Sequence, residues 1–206
     1  MIGKPHPWHG INPGAEAPEC LMAFIEMTPY DTVKYEIDKV SGYLKVDRPH
    51  RFSSLLPALY GFIPQTFCAE RTAEYFREMS GPEVDVQRGD EDPLDICVLS
   101  DRNIHRGNII VPAIPIGGFR MLDGGEADDK IIAVLQSDEF YTEWDEVTRL
   151  PQAMIDRLKH YFLNYKQMPD DPARVEIVAT YGREEAHEVI RRSMADYRER
   201  FAGVLG

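Results

Sequence analysis

An acidic segment that runs directly into an apolar strand is the feature that most restricts how this chain can fold. Residues 90–95 carry four carboxylates in six positions, and the apolar run 96–99 follows without a break. Two carboxylates about 4 Å apart repel by roughly 1 kcal/mol in water and by about 4 kcal/mol at an effective dielectric near 20. A fold that places them at the mouth of a core strand needs a cation nearby or raised carboxyl pKa values. Because the segment has neither His nor Cys before the strand, a hard cation such as Mg²⁺ fits it better than Zn²⁺.

The composition is typical of a globular protein, and we expect a single domain over residues 1–206. The net charge of −12 argues against nucleic acid or an anionic membrane as a partner, because phosphate groups attract basic surfaces. An anionic substrate would therefore need metal ions and a local group of basic side chains to reverse the field.

The cysteines and the hydropathy pattern predict a cytoplasmic protein. The three cysteines, at positions 20, 68 and 97, have neither the spacing of a zinc site nor that of a disulfide framework. The first 20 residues are polar and rich in Pro and Gly, unlike a signal peptide. No apolar run approaches the ~20 residues of a membrane span.

Residue periodicity predicts an α+β fold, mainly β, with a barrel-like core and appended helices. Short segments rich in β-branched residues predict strands over 21–27, 33–37, 43–46, 93–99, 108–116, 130–135 and 174–181. Helical spacing of apolar residues predicts helices over about 72–79, 154–165 and 186–201. Residues 1–19 are expected to form an irregular arm.

The acidic segment itself has three interpretations. An EF-hand loop starting at Asp90 would need an oxygen ligand, Gly and Glu at positions five, six and twelve, where Leu94, Asp95 and Asp101 stand. That interpretation fails, which leaves a solvated acidic turn or a multi-metal site for phosphoryl transfer. A second acidic cluster, residues 123–130, also leads into an apolar strand and favours the metal site.

Four segments stand out in chain order: Lys-Tyr-Glu-Ile-Asp at 34–38, Val-Asp-Arg at 46–48, Leu-Tyr-Gly-Phe-Ile-Pro at 59–64 and Asp-x-Asp-Pro-apolar-Asp at 90–95. Together they resemble the family I soluble inorganic pyrophosphatases, whose signature is the last of the four. Asp123, Asp128 and Lys130 match in spacing, as do a helical Tyr-Lys pair at 165–166 and an N-terminal arm at 6–10. The matches follow the family order from residue 6 to residue 166.

The resemblance implies a five-stranded OB-like closed β-barrel with appended helices. It implies hydrolysis of pyrophosphate to two phosphates by in-line attack of a metal-activated water. The cofactor would be Mg²⁺, several ions per active site, with Mn²⁺ as a substitute. The family also implies a homo-oligomer, for which a hexamer is favoured over a dimer. Residues 65–89 would be an insertion that covers the site, reaches a neighbouring subunit or decorates the surface.

The resemblance also implies a role for each matched residue. Asp92 would be the general base. Asp90, Asp95 and Asp128 would hold the two ions that share the nucleophilic water. Asp123 would join Asp128 on a metal brought with the substrate. Glu36 would ligate a further ion, with Glu26 nearby through water. The phosphates would be bound by Lys34, Arg48, Tyr60, Lys130, Tyr165 and Lys166.

Two positions depart from the family pattern, and plainer interpretations stay open. Leu56 and Leu59 stand where the family often has Tyr and Asn, which puts the shape of the phosphate pocket in question. Without the resemblance, Lys34 and Glu36 would be a surface pair and Tyr165 a core residue. A metal-dependent hydrolase of nucleotides or polyphosphate, and a non-catalytic acidic binding module, are the rival functions.

Overall fold

The computed structural model of this chain describes residues 4–50, 53, 55–141, 143–165 and 174–203. The strands are, in chain order, β1 (Leu21–Met27), β2 (Val33–Ile37), β3 (Leu44–Pro49), β4 (Leu59–Phe62), β5 (Arg88–Gly89), β6 (Asp95–Leu99), β7 (Ile109–Asp123), β8 (Glu126–Ala127), β9 (Lys130–Leu135) and β10 (Val175–Gly182). The α-helices are α1 (Glu70–Ser80), α2 (Gln152–Asn164) and α3 (Arg183–Arg200), and a 3-10 turn covers Val147–Arg149. None of the described helices is long and apolar enough to cross a bilayer.

Five strands pair in a closed ring. β1 pairs antiparallel with β4, and β4 pairs antiparallel with β6. β6 runs parallel to β9, and β9 pairs antiparallel with β7. β7 then pairs antiparallel with β1, which closes the ring. The ring confirms the predicted mainly β core with helices outside it, and β2 and β3 form a separate two-stranded hairpin.

The strand alternation builds two apolar layers. Side chains on one face of the strands, such as Tyr60, pack with Leu158 and Phe162 of α2. Side chains on the other face, such as Leu59, pack with Ile190 of α3. α2 and α3 therefore cover one apolar layer each, as expected for strands whose neighbouring side chains point to opposite faces.

Two glycines allow neighbouring strands to pack more closely than a larger residue would permit. β7 runs past its predicted end at 116 to Asp123, and Gly118 within it lies under Tyr181, where a Cβ would be 2.5 Å from the ring. β4 is a strand that the sequence pattern does not predict. A Cβ on Gly61 would lie 1.8 Å from the Phe24 carbonyl oxygen, so only glycine lets β4 cross β1 there.

The 65–89 segment packs against the side of the ring and holds the acidic loop in place. Phe76 and Val86 form a small apolar cluster with Ala127 of β8. The backbone of Cys68 bonds to the acidic loop on both sides, donating to the Asp92 carbonyl and accepting from the Glu91 N–H, each at 2.9 Å. The 65–89 segment therefore positions the acidic loop.

Asp196 of α3 caps the first turn of α1, and its removal should destabilise the fold. Its carboxylate accepts backbone N–H bonds from Ala69, Arg71 and Thr72 at 3.0, 3.2 and 3.2 Å. We expect Asp196→Ala to lower the free energy of unfolding by about 2 kcal/mol, because the buried donors lose their acceptor. Urea unfolding would measure this loss, with Glu199→Ala on the exposed side of α3 as the control. A loss no larger than that of the control would contradict the capping role.

Candidate active site

A cavity of about 210 Å³ lies where the acidic segment meets the β2–β3 hairpin. Its charged lining consists of eight carboxylates and three lysines. The carboxylates are Glu26, Glu36, Asp90, Asp92, Asp95, Asp123, Glu126 and Asp128, and the lysines are Lys34, Lys39 and Lys130. Tyr60 and Tyr165 also face the cavity.

The structure brings most of the predicted site residues to this cavity. Eleven of the thirteen line it, and Arg48 lies outside the lining. Lys166 falls outside the described residues. Lys39 and Glu126 also line the cavity and are not among the residues predicted from the sequence. Each lies beside or inside a matched segment, so position in the sequence was the one available signal.

The acidic loop is held by backbone contacts that aim its carboxylates inward. The Leu94 N–H donates to the buried Thr66 hydroxyl oxygen at 2.9 Å, and the Asp92 N–H donates to Asp90 Oδ1 at 3.1 Å. Glu91 has a positive φ of 58°, and its side chain is exposed. The turn at Glu91 therefore leaves Asp90 and Asp92 on the cavity side.

Lys130 is fully buried between two carboxylates. Its Nζ donates to Asp95 Oδ2 and to Asp128 Oδ1, and the Tyr60 hydroxyl donates to Asp95 Oδ2 at 2.5 Å. β6 and β9 place Asp95 and Lys130 side by side. Burial alone would lower the pKa of Lys130, but Asp128 and Asp95 outweigh it and hold the pKa well above its ordinary value. Lys130 is therefore held as a buried ammonium ion in the cavity wall.

The pKa of Asp90 reflects the crowding of negative charge in the cavity. Burial raises the pKa of its carboxyl well above the ordinary value, and Asp128 adds to the rise, while Lys130 opposes it. Carboxylates with raised pKa values favour a bound cation, because the cation removes their mutual repulsion. The charge pattern of the cavity therefore suits a positively charged ligand.

Glu26 fastens the hairpin to the ring. Its Oε1 accepts the Ile37 N–H at 2.7 Å, and the side chain is buried. Burial raises the pKa of Glu26 to about 8, although the hydrogen bond from Ile37 opposes the rise. Lys34, on the same hairpin, lies 3.1 Å from Glu36 and 3.3 Å from Asp47. The predicted Lys34–Glu36 pair is thus on the cavity wall.

Tyr165 combines packing with access to the cavity. Its ring stacks on Tyr161 of α2 with centroids 5.2 Å apart, and it also lines the cavity. The Arg48 guanidinium carbon lies 6.0 Å from the centre of the Tyr165 ring, so Arg48 stands near the rim. Leu56 and Leu59 are both core residues, and neither lines the cavity.

The donor set suits a hard divalent cation. Within the described ranges, no three His, Cys, Asp or Glu side chains converge as a ready-made metal site. The cavity nevertheless offers carboxylate oxygens almost exclusively, which are the ligands that Mg²⁺ and Ca²⁺ prefer. The chemistry of these residues therefore fits such an ion.

Known proteins share this sequence and fold. A family model described as inorganic pyrophosphatase matches residues 23–198. The inorganic pyrophosphatase of Chlamydia caviae is 48% identical over 201 residues, which cover 95% of this chain and 92% of that protein. Soluble inorganic pyrophosphatase 2 of Chlamydomonas reinhardtii is 34% identical, over 95% of this chain and 90% of its own. The crystal structure of inorganic pyrophosphatase from Thermus thermophilus superimposes with a TM-score of 0.78 at 26% identity, covering 94% of this chain and 99% of that one. A family match of this extent, with relatives aligned over nearly their full length, means that the chain belongs to the inorganic pyrophosphatase family.

Proposed function

We propose that this protein is a Mg²⁺-dependent inorganic diphosphatase that hydrolyses pyrophosphate to two phosphates. The observation that carries the proposal is the cavity in which eight carboxylates and three lysines meet. Family membership supports the reaction and a divalent metal cofactor. The all-oxygen donor set supports Mg²⁺ as that cofactor.

Six carboxylates would hold the cations. Asp90, Asp95 and Asp128 come from the two acidic clusters, and Asp123 stands where β7 turns into β8. Glu36 comes from β2 and Glu26 from β1. When bound, the divalent cations lower the pKa of water and offset the charge of the phosphates. The raised pKa of Asp90 supports this assignment, because its ionised form needs a positive neighbour.

Asp92 would take the proton from the attacking water. Its side chain is half-exposed at the cavity, with 45% of its surface accessible, so a water molecule can reach it. The loop fixes its backbone through the Cys68 N–H and the Asp90 carboxylate. A carboxylate needs only modest basicity to accept a proton from an acidified water.

Basic and hydroxyl side chains would bind the two phosphates. Lys34 and Lys130 are the buried or half-buried ammonium groups, and Tyr60 and Tyr165 are the hydroxyls. Arg48 would join them from the rim, and Lys166 follows Tyr165 directly in the sequence. These groups would stabilise the charge of the leaving phosphate in an in-line displacement.

The size of the cavity favours a small substrate. Its volume of about 210 Å³ is below the roughly 300–1,000 Å³ typical of pockets for larger ligands. Pyrophosphate has no base or ribose to accommodate. The volume therefore favours pyrophosphate over a nucleotide.

Phosphate release with and without Mg²⁺ tests the function. We expect rapid release from pyrophosphate with Mg²⁺, almost none with a chelator, and strong inhibition by Ca²⁺, whose longer and looser coordination misplaces the water. ATP and tripolyphosphate serve as comparison substrates with the same metal. Faster turnover of either would favour the rival phosphohydrolase. No turnover of any substrate would favour a non-catalytic binding module.

We also propose a cytoplasmic homo-oligomer, with a hexamer favoured over a dimer. The cysteines are all free thiols, which suits a reducing compartment. Tyr43, Ile110 and Phe140 expose large apolar surfaces of the kind that subunit contacts cover. Light scattering on the purified protein would give the subunit number.

A further inference from the structure

Lys39 is a cavity lysine to which the family resemblance gives no role. It follows β2 at the tip of the hairpin, lines the cavity, and its Nζ contacts Asp92 Oδ1. We propose that Lys39 is a further substrate-binding residue, whose ammonium group exchanges Asp92 for a phosphate oxygen when pyrophosphate binds. This inference rests on the proposed function of the cavity.

The backbone at Lys39 is held firmly, so the exchange involves its side chain alone. Asp38 accepts hydrogen bonds from the Ser41 N–H at 2.8 Å and the Ser41 hydroxyl at 2.5 Å. The Gly42 N–H donates to the Asp38 carbonyl at 2.8 Å. On the other side of Lys39, Glu26 holds Ile37. The Lys39 Cα is thereby fixed at the edge of the cavity.

The N-terminal arm supports the same turn from outside. A Cβ on Gly42 would lie 2.7 Å from both the His6 ring and the Pro7 ring, so the arm packs directly on the hairpin tip. Trp8 anchors this arm, because it is buried and its indole N–H donates to the Thr66 carbonyl at 2.8 Å. The arm therefore supports one side of the tip, while the Lys39 side chain stays half-exposed.

Of the three cavity lysines, Lys39 loses the least free energy when it leaves its carboxylate partner. The side chains of Lys39 and Asp92 are 53% and 45% exposed, whereas those of Lys34 and Lys130 are 21% and 2% exposed. A half-exposed ion pair contributes only about 0–1 kcal/mol. Lys34 and Lys130 each contact two carboxylates, and burial strengthens those contacts.

Pyrophosphate offers Lys39 a stronger partner than Asp92 does. The substrate carries several negative charges, while Asp92 carries one, and hydrogen bonds between charged groups are among the strongest in proteins. The four-carbon side chain turns about its own bonds, and its length suits a point contact with phosphate. When Lys39 moves to the phosphate, the Asp92 carboxylate becomes free to accept the proton of the attacking water.

Removing the charge of Lys39 tests this inference. We expect Lys39→Met to raise KM for pyrophosphate by about 10- to 100-fold, since one charge-assisted contact is lost. It should weaken binding of the non-hydrolysable analogue methylenediphosphonate with Mg²⁺ by a similar factor in calorimetry. The value of kcat should change by less than about threefold, because Lys130, Lys34 and Asp92 remain. Lys39→Arg should retain most of the affinity.

The control and a second variant separate the alternatives. Lys4→Met removes a lysine that packs near the same turn but bonds Asn108 at 2.8 Å on the outside, and it should leave both measurements unchanged. Lys39→Gln repeats the charge removal with a polar side chain, should the Met variant fold poorly. Unchanged KM and analogue affinity in the charge-removing variants, or a loss confined to kcat, would overturn the inference. A wild-type protein that neither hydrolyses pyrophosphate nor binds the analogue would refute the proposed function itself.

Discussion

Replacing Asp92 with Asn should reduce phosphate release from pyrophosphate by about 10²- to 10⁴-fold, the usual contribution of a general base. Asn has nearly the same shape but cannot accept the proton of the attacking water at neutral pH. The loop should keep its course, because the Cys68 N–H and the Asp90 carboxylate bond the backbone of residue 92 and not its side chain.

Metal binding should survive this change. The ligands proposed for the ions, Asp90, Asp95 and Asp128 among them, are unaltered in Asp92→Asn. Calorimetry with Mg²⁺ or Mn²⁺ would therefore show an affinity within a few fold of the wild-type protein, beside a steady-state assay that shows the loss of kcat. A kcat reduced together with a lost metal affinity would instead identify Asp92 as a main ligand.

Glu91→Gln provides the matched control. Glu91 belongs to the same loop, is exposed, and does not line the cavity. The same carboxylate-to-amide change there should leave turnover within about twofold, as expected for a surface substitution. Turnover in Asp92→Asn equal to that of Glu91→Gln would rule out the assigned role of Asp92.

Local patterns in the sequence predict most of the strands. β1, β2 and β9 have the bounds that the alternation and the turn residues indicate. Their signals are local: a run of β-branched residues flanked by Pro, Gly or Asp. The family resemblance of the ordered segments predicts most of the residues that line the cavity. These residues meet there because the fold brings the matched segments together.

Features that depend on distant parts of the chain were beyond the sequence analysis. β4 is only four residues long and contains Gly61, whose fit under Phe24 depends on β1. Lys130 is buried because β6 brings Asp95 beside it, a pairing over 35 residues. Lys39 is a turn lysine in the sequence, and its contact with Asp92 spans 53 residues. Contacts between segments far apart in the chain, which no local pattern contains, decide these three cases.

A buried charge group behind the cavity leads to the second prediction of large effect. Arg120 of β7 is 3% exposed, and its Nη2 donates to Glu185 of α3. Its guanidinium carbon lies 5.4 Å from the centre of the Tyr181 ring. Burial raises the pKa of the neighbouring Asp129 to about 7, and Arg120 is the first of the groups that oppose the rise. The positive charge of Arg120 thus offsets the negative charges of both Glu185 and Asp129.

Replacing Arg120 with Met should lower the free energy of unfolding by about 3–5 kcal/mol, because it leaves Glu185 without its partner in a mostly buried place. Urea unfolding at a fixed protein concentration measures the loss, so that self-association contributes equally in all samples. Arg191→Met on α3 is the control: its side chain is 48% exposed and lies 3.5 Å from Glu188, so its loss should cost less than about 1 kcal/mol.

A double substitution separates the ion pair from the volume of the Arg120 side chain. Met at position 120 fills part of the space between the Phe76 and Tyr181 rings, while Glu185→Leu removes the carboxylate that Arg120→Met leaves uncompensated. The double variant should therefore be more stable than Arg120→Met alone, since an apolar pair of similar size often replaces a buried ion pair at little cost. A double variant no more stable than Arg120→Met would mean that lost packing or the uncompensated Asp129, rather than the uncompensated Glu185, causes the destabilisation. A loss in Arg120→Met that matches the Arg191 control would show that the buried pair contributes no more than a surface pair.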